Sequence, residues 1–228
     1  MSMFDQHRLI ILDADGTTID AFEAINMAFS AHNMDIGDIQ RFQGRRKIFK
    51  YIGGLKELPK NLRKQLKEKQ RTDLIITLTD IYREQARLFE GMGGMINRLI
   101  AQPDLRVGMI TRNITHEPEK TLRKLYLRNG VDVTGLDFLI HLPLRKQKLT
   151  AFQAIRESLQ INPARAYATG DEKCDYVAAV GSGMHPFMVS FGFESYQRLT
   201  RKIGVPAALI SRQPLELKQR VLHALDIT

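Results

Sequence analysis

The run Leu9-Ile10-Ile11-Leu12 passes directly into Asp13-Ala14-Asp15-Gly16-Thr17, so a continuous apolar strand ends in two carboxylates one residue apart. Consecutive large aliphatic residues with no polar alternation predict a strand buried on both faces, as in a parallel sheet covered by helices. Two anions at the end of such a strand cost desolvation and mutual repulsion, which a bound cation or strong hydrogen bonds must offset. A second acidic pair, Asp171 and Asp175 in Gly170-Asp171-Glu172-Lys173-Cys174-Asp175, follows another apolar run far downstream. Together the two pairs imply a divalent metal.

Periodicity along the rest of the chain predicts strands at Arg8–Leu12, Leu105–Ile110, Asp137–Ile140, Arg165–Thr169, Phe187–Ser190 and Ala207–Ile210. They alternate with helical patterns such as Glu117–Asn129, closed by Gly130, and Leu149–Leu159, with Phe152, Ile155 and Leu159 on one face. This rhythm predicts an α/β fold with a Rossmann-like parallel sheet core. Residues 18–92 break it: Phe22, Ile25 and Phe29, then Leu58, Leu62 and Leu66, then Leu74, Leu78, Ile81 and Leu88 recur at helical spacing with no strand between them. The expectation is an inserted all-helical cap domain over 18–92, and a core made of 1–17 and 93–228. The cluster Gly91-Met92-Gly93-Gly94 is suited to a hinge at its exit.

Composition excludes several classes. A chain of 228 residues buries a full core, and its 43% hydrophobic and 26% charged content is ordinary for a globular protein. No apolar run approaches the roughly 20 residues that span a bilayer, and the N-terminus shows no secretory signal pattern. The expected setting is therefore cytoplasmic, with no membrane partner. Cys174 is the only cysteine and the six histidines are scattered, which argues against zinc and against an internal disulfide.

In an open parallel sheet, ligands bind beyond the carboxyl ends of the strands. The polar residues fall there: Asp13 and Asp15 after the first strand, Thr111-Arg112-Asn113 after the second, Lys146 and Lys148 after the third, Asp171 and Asp175 after the fourth. Asp-x-Asp-Gly-Thr, then Thr-x-Asn, then a lysine, then Gly-Asp with an Asp four residues later, resembles the haloacid dehalogenase superfamily. The resemblance covers the whole chain, and the helical insert is similar to the helical-cap phosphatase-like hydrolases of that superfamily.

The resemblance implies a nucleophile at Asp13 that forms an aspartyl-phosphate, and a general acid and base at Asp15. Relatives acting as dehalogenases or phosphonatases lack an aspartate at this second position, so its presence favours phosphate esters. The implied cofactor is Mg2+, suited to a hard oxygen site made by Asp13, the backbone carbonyl of Asp15 and Asp171. Asp175 would hold a metal-bound water or orient the lysine. Thr111, Arg112 and Asn113 would bind phosphate, and a lysine would offset its charge. The superfamily often carries Lys-Pro-x-Pro at that point, whereas this chain reads Arg145-Lys146-Gln147-Lys148. Lys148 is preferred because Thr150 and Gln153 mark a helix start behind it, with Lys146 as the alternative. Each of these residues also has a plainer reading: Asp before Gly forms turns, and Thr111, Asn113 or Asp175 can serve a helix N-terminus.

The formal net charge of +9 is concentrated in one place, since Arg41–Arg71 holds twelve Lys or Arg residues against two acids. In similar capped enzymes a loop near this position chooses the substrate, and Arg45, Arg46 or Lys47 would grip an anionic group. The alternative is a solvated face. The expected function is a magnesium-dependent phosphatase for a small phosphorylated metabolite. A phosphomutase or phosphotransferase of the same superfamily is the enzymatic rival. A non-catalytic protein using the basic cap on nucleic acid or an acidic partner is the rival from another class, disfavoured by the two catalytic carboxylates. Neither the substrate nor the oligomeric state follows from the sequence.

Overall fold

A computed structural model describes residues 6–44 and 68–227. In it Leu9 and Ile11 of β1 (Arg8–Leu12) join one buried cluster and Ile10 and Leu12 join the other. Alternate side chains of a strand point to opposite faces, so four aliphatic residues in a row require a helical layer on each side. The chain continues through α1 (Ala21–Ala31), α2 (Ile39–Gly44), α3 (Glu68–Glu84), α4 (Met92–Ile100), β2 (Leu105–Thr111), α5 (Pro118–Arg128), β3 (Phe138–His141), α6 (Lys148–Ser158), β4 (Ala166–Gly170), α7 (Lys173–Gly181), β5 (His185–Val189), β6 (Ile210–Ser211) and α8 (Pro214–Ala224). The six strands are all parallel, in the order β3-β2-β1-β4-β5-β6.

The two faces are closed by different helices. Met92, Met95, Ile96 and Leu99 of α4, Leu122 and Leu125 of α5, and Leu217 and Val221 of α8 pack with Ile10 and Leu12. Phe152 of α6 and Ala178 and Ala179 of α7 pack with Leu9 and Ile11. At roughly 25 cal/mol per Å² of apolar area, this two-sided burial is the main term holding β1 at the centre of the sheet. Strand order reverses between β1 and β4, since the chain moves outward to β2 and β3 and then returns to the other side of β1. The crevice of such a fold lies at that reversal.

Between β1 and β2 the regular elements among the described residues are all helices. Asp20 caps α1, its carboxylate accepting from the Glu23 amide at 3.2 Å. Ile25 and Phe29 of α1 and Leu74, Leu78 and Ile81 of α3 are buried in the cluster that also contains α4 and α5. Leu58, Leu62, Leu66, Arg45, Arg46 and Lys47, with most of the basic segment, lie outside the described residues.

The glycine cluster expected to serve as a hinge falls at the start of α4. Gly91 takes φ +77° at the start of α4, but Gly93 and Gly94 are inside the helix. The departing and returning chains meet instead in a narrow neck: the Asp20 amide donates to the Arg87 carbonyl at 3.0 Å, the Phe89 amide donates to the Thr18 carbonyl at 3.0 Å, and Ile19 pairs antiparallel with Leu88. Backbone pairing, which a glycine count does not register, defines the junction.

Candidate active site

The ends of β1, β2 and β4 and the start of α6 deliver the polar residues to one place. Asp13 is buried directly after β1, and its amide donates to the Thr169 hydroxyl of β4 at 3.3 Å. Asp171 follows β4 and is 0% exposed, while Asp175 lies in the first turn of α7 and is 1% exposed. A carboxylate oxygen from each of Asp13, Asp171 and Asp175 lies within 4.8 Å of the others. Three buried anions this close repel one another, and the ammonium of Lys148 is set among them. Its Nζ donates to Asp13 Oδ1 at 2.7 Å and to Asp175 Oδ1 at 2.5 Å, and the residue is 3% exposed. Lys146 is exposed, and its backbone carbonyl accepts from Arg112 Nη2 at 2.8 Å. Of the two candidate lysines, Lys148 is therefore the one at the carboxylates. It is the first residue of α6, two positions earlier than a start at Thr150, and Gln147 at the cap makes no side-chain capping bond.

Asp175 combines a local and a long-range role. Its Oδ2 accepts from the Glu172 amide at 2.9 Å as one half of a capping box, and its Oδ1 takes Lys148. The plain helix-start reading and the lysine-orienting reading thus describe two oxygens of one side chain. Asp171 Oδ2 accepts from the Phe193 amide at 2.5 Å. The loop carrying that amide approaches so closely that a Cβ on Gly192 would lie 2.1 Å from the Gly16 carbonyl.

Gly16 is constrained twice. Its φ is +78°, in the left-handed region, and a Cβ there would lie 2.5 Å from Asp171 Oδ2. In Gly16→Ala the methyl group must displace the Asp171 carboxylate. We expect about 10- to 100-fold weaker divalent-cation binding, as when a ligand's support is disturbed, read by isothermal titration with magnesium. Unchanged affinity would show that Asp171 needs no such placement.

Asp15 follows Asp13 by two residues beyond the end of β1. Its Oδ1 accepts from the Tyr82 hydroxyl at 2.8 Å and from Asn113 Nδ2 at 3.2 Å, and its Oδ2 accepts from Asn113 Nδ2 at 2.9 Å. The Asn113 amide is oriented in turn, because its Oδ1 accepts from the Thr115 amide at 2.9 Å and from the Thr115 hydroxyl. Thr111 is fully buried, its hydroxyl accepting from the Asn113 amide at 3.2 Å, so it shapes the loop after β2. Arg112 holds the Lys146 loop. Sequence reasoning missed Tyr82, which lies on α3 within the apolar face that α3 presents to the core. It also missed Tyr126, whose hydroxyl is 2.6 Å from Thr18 Oγ1, itself a donor to the Asp13 carbonyl at 3.1 Å.

Burial dominates the electrostatics. It raises the Asp13 carboxyl well above the ordinary carboxylate range, with the nearby Asp175 and Asp171 adding to the rise and Lys148 opposing it. Burial also raises Asp15, against the hydrogen bonds from Tyr82 and Asn113. For Lys148 burial disfavours the charge, but Asp13 and Asp175 outweigh it and hold the amine above its ordinary value. The Cys174 thiol is pushed up to about 12, mainly by burial and then by Asp175, so it stays protonated and inert near neutral pH.

The family model described as haloacid dehalogenase-like hydrolase matches residues 10–189. The chain belongs to the haloacid dehalogenase-like hydrolases. Comparison with curated protein sequences gives no match. Among solved structures, this hydrolase is similar to a haloacid dehalogenase-like family hydrolase from Streptococcus pneumoniae, at 17% identity over 95% of this chain and 99% of that one, with a TM-score of 0.63. It is also similar to a predicted phosphatase from Clostridium acetobutylicum, at 17% identity, 96% and 100% coverage and TM-score 0.61. A candidate beta-phosphoglucomutase from Thermotoga maritima gives 15% identity, 95% and 99% coverage and TM-score 0.64. At these identities the likeness is one of fold. Among the described residues, no helix of the hydrolase is long and apolar enough to cross a membrane.

Proposed function

We propose that this hydrolase is a magnesium-dependent phosphatase acting on a small phosphorylated metabolite through an aspartyl-phosphate on Asp13, with 1–17 and 93–228 as catalytic core and 18–92 as cap. The observation that carries the reading is the buried arrangement of Asp13, Asp171 and Asp175 around Lys148 at the strand-order reversal. The donors there are all oxygen, as a hard cation requires, and three carboxylates against one ammonium leave an excess of negative charge for it to offset. Asp13, Asp171 and the Asp15 carbonyl would hold Mg2+, with Asp175 set behind them on Lys148. When bound, the ion supplies charge neutralisation to the phosphoryl oxygens facing Asp13.

The chain's own residues would do the rest. Lys148 favours the ionised form of Asp13 against burial and would offset charge on the transferred phosphoryl group. Asp13 attacks phosphorus, the bond to the ester oxygen breaks, and the proton of Asp15 passes to that oxygen as it leaves. Asp15, now a carboxylate, takes a proton from the water that attacks the aspartyl-phosphate, and Asp13 is regenerated. The Thr111–Asn113 segment at the end of β2 would contact the phosphate, and Arg45 is the proposed contact to the rest of the substrate.

Magnesium-dependent phosphate release from an activated aryl phosphate and a panel of metabolite phosphates tests this reading. Release is expected to vanish with chelator and to return with magnesium. Saturating the ion should also raise the melting temperature, with about 2.7 kcal/mol gained at a hundredfold excess over Kd. Because the carboxyls must ionise to bind, affinity should rise with pH through the raised titration of Asp13. Magnesium binding without release from any ester would move the function to partner binding.

A further inference from the structure

The hydroxyl of Tyr82 is the one contact to the Asp15 carboxylate that comes from the helical insert among the hydrogen bonds described above. A phenol facing a carboxylate has only its proton to offer, so Tyr82 donates and Asp15 accepts, at 2.8 Å. Tyr82 is 2% exposed, and water does not compete effectively for that bond. The helix that carries it is fastened to the core on both sides of Tyr82. Before it, the Thr79 hydroxyl accepts from the His116 amide at 2.9 Å. After it, Arg83 donates to the Thr121 hydroxyl at 3.0 Å and to Glu117 at 3.1 Å, Glu84 pairs with Lys124, and Arg128 Nε donates to the Arg83 carbonyl at 3.1 Å. The phenol oxygen is thereby fixed relative to α5 and the loop after β2, the same frame that orients Asn113.

From this geometry we infer that Tyr82 is a positioning residue: its hydroxyl, with the Asn113 amide, fixes the carboxyl of Asp15 in the direction from which it delivers a proton to the leaving oxygen. The inference rests on the proposed phosphatase reading and deepens it, because it assigns proton delivery to a contact made by the insert. Asn113 alone bonds both oxygens from one nitrogen and leaves the carboxyl free to rock about that point. The second donor at Oδ1 removes that freedom. A displacement on the order of 1 Å at a reacting group can cost about a hundredfold in rate.

The test uses leaving-group dependence. An alkyl phosphate needs a proton on its departing oxygen, whereas an aryl phosphate with an acidic phenol departs without one. In Tyr82→Phe, which removes a single oxygen, kcat/KM for the alkyl ester should fall about 10- to 100-fold while that for the acidic aryl ester changes by less than about threefold, with KM little altered. Both esters are assayed in one preparation, so the ratio does not depend on how much of the variant is folded. Tyr126→Phe removes an equally buried hydroxyl that touches Thr18 and not Asp15, and should leave the ratio at the native value. Equal losses for the two esters in Tyr82→Phe, no loss in either, or the same change of ratio in Tyr126→Phe would each overturn the inference while leaving the phosphatase reading intact. A native protein that releases phosphate from neither ester overturns the phosphatase reading, and this inference with it.

Discussion

Replacing Lys148 with methionine should lower kcat/KM by about 10²- to 10³-fold and destabilise the metal-free protein by about 3–5 kcal/mol at neutral pH. The side chain is buried between Asp13 and Asp175, and methionine keeps most of its volume while deleting the charge. The stability loss comes from the partners left behind: three buried carboxylates would face one another with no cation among them. Lys148 also lowers the titration of Asp13 against the upward pull of burial. Without it Asp13, the proposed nucleophile, stays protonated to higher pH, and the acidic limb of the rate profile should move upward. Chemical denaturation in the presence of chelator and a pH series of kcat/KM give the two readouts. A variant with native stability would mean that the carboxylates shed their charge in the native protein as well.

Asp13→Asn is expected to part activity from stability in the opposite sense. An amide cannot form the phosphoryl-enzyme, and turnover should drop by about 10⁴-fold or more. The metal-free variant should nevertheless be more stable than the native protein by about 1–2 kcal/mol, because one of three crowded anions is gone and Lys148 keeps Asp175 as its partner. The sign with pH follows from the raised titration of Asp13. A carboxyl higher in the folded state than in the unfolded one contributes stability that is complete below its unfolded value, about 3.9, and is lost as pH rises through the folded value. The advantage of the variant should therefore grow from about pH 4 toward neutrality. Thermal melts across that range, with chelator present, would show it. A variant melting below the native protein throughout would mean that Asp13 is held by more than Lys148.

The strand ends were legible because each polar motif sits at the end of an apolar run, where chain direction and burial change together. Boundaries were less so. The fifth strand begins at His185 and includes Pro186, which a reading by propensity passes over in favour of Phe187. Pro186 is tolerated because β6 pairs only with Met188 and Val189, so no neighbour on that side requires its missing amide. The last strand is Ile210–Ser211, because Ala207–Leu209 close a tight helical turn after Pro206. Tyr82 could not be assigned a partner from sequence, since Ile81-Tyr82-Arg83 reads as one more turn of an amphipathic helix and its partner lies 67 residues away. For the lysine, spacing allowed two residues, and only packing distinguishes the one that reaches Asp13.

The neck at Ile19 and Leu88 bears on how such a chain can change over generations. Because the two backbones meet there by their own hydrogen bonds, everything from Asp20 to Arg87 is a loop whose ends are already joined. The entropy of closing a loop grows only with the logarithm of its length, about 0.6 kcal/mol for each doubling. Changes of length in the stretch between α1 and α3 are thus cheap in closure entropy, provided that the ribbon at the base and the packing of α1 and α3 on the core are kept. Selection can then vary that stretch while the carboxylates at the strand ends, and the α3 contact from Tyr82 to Asp15, keep their places.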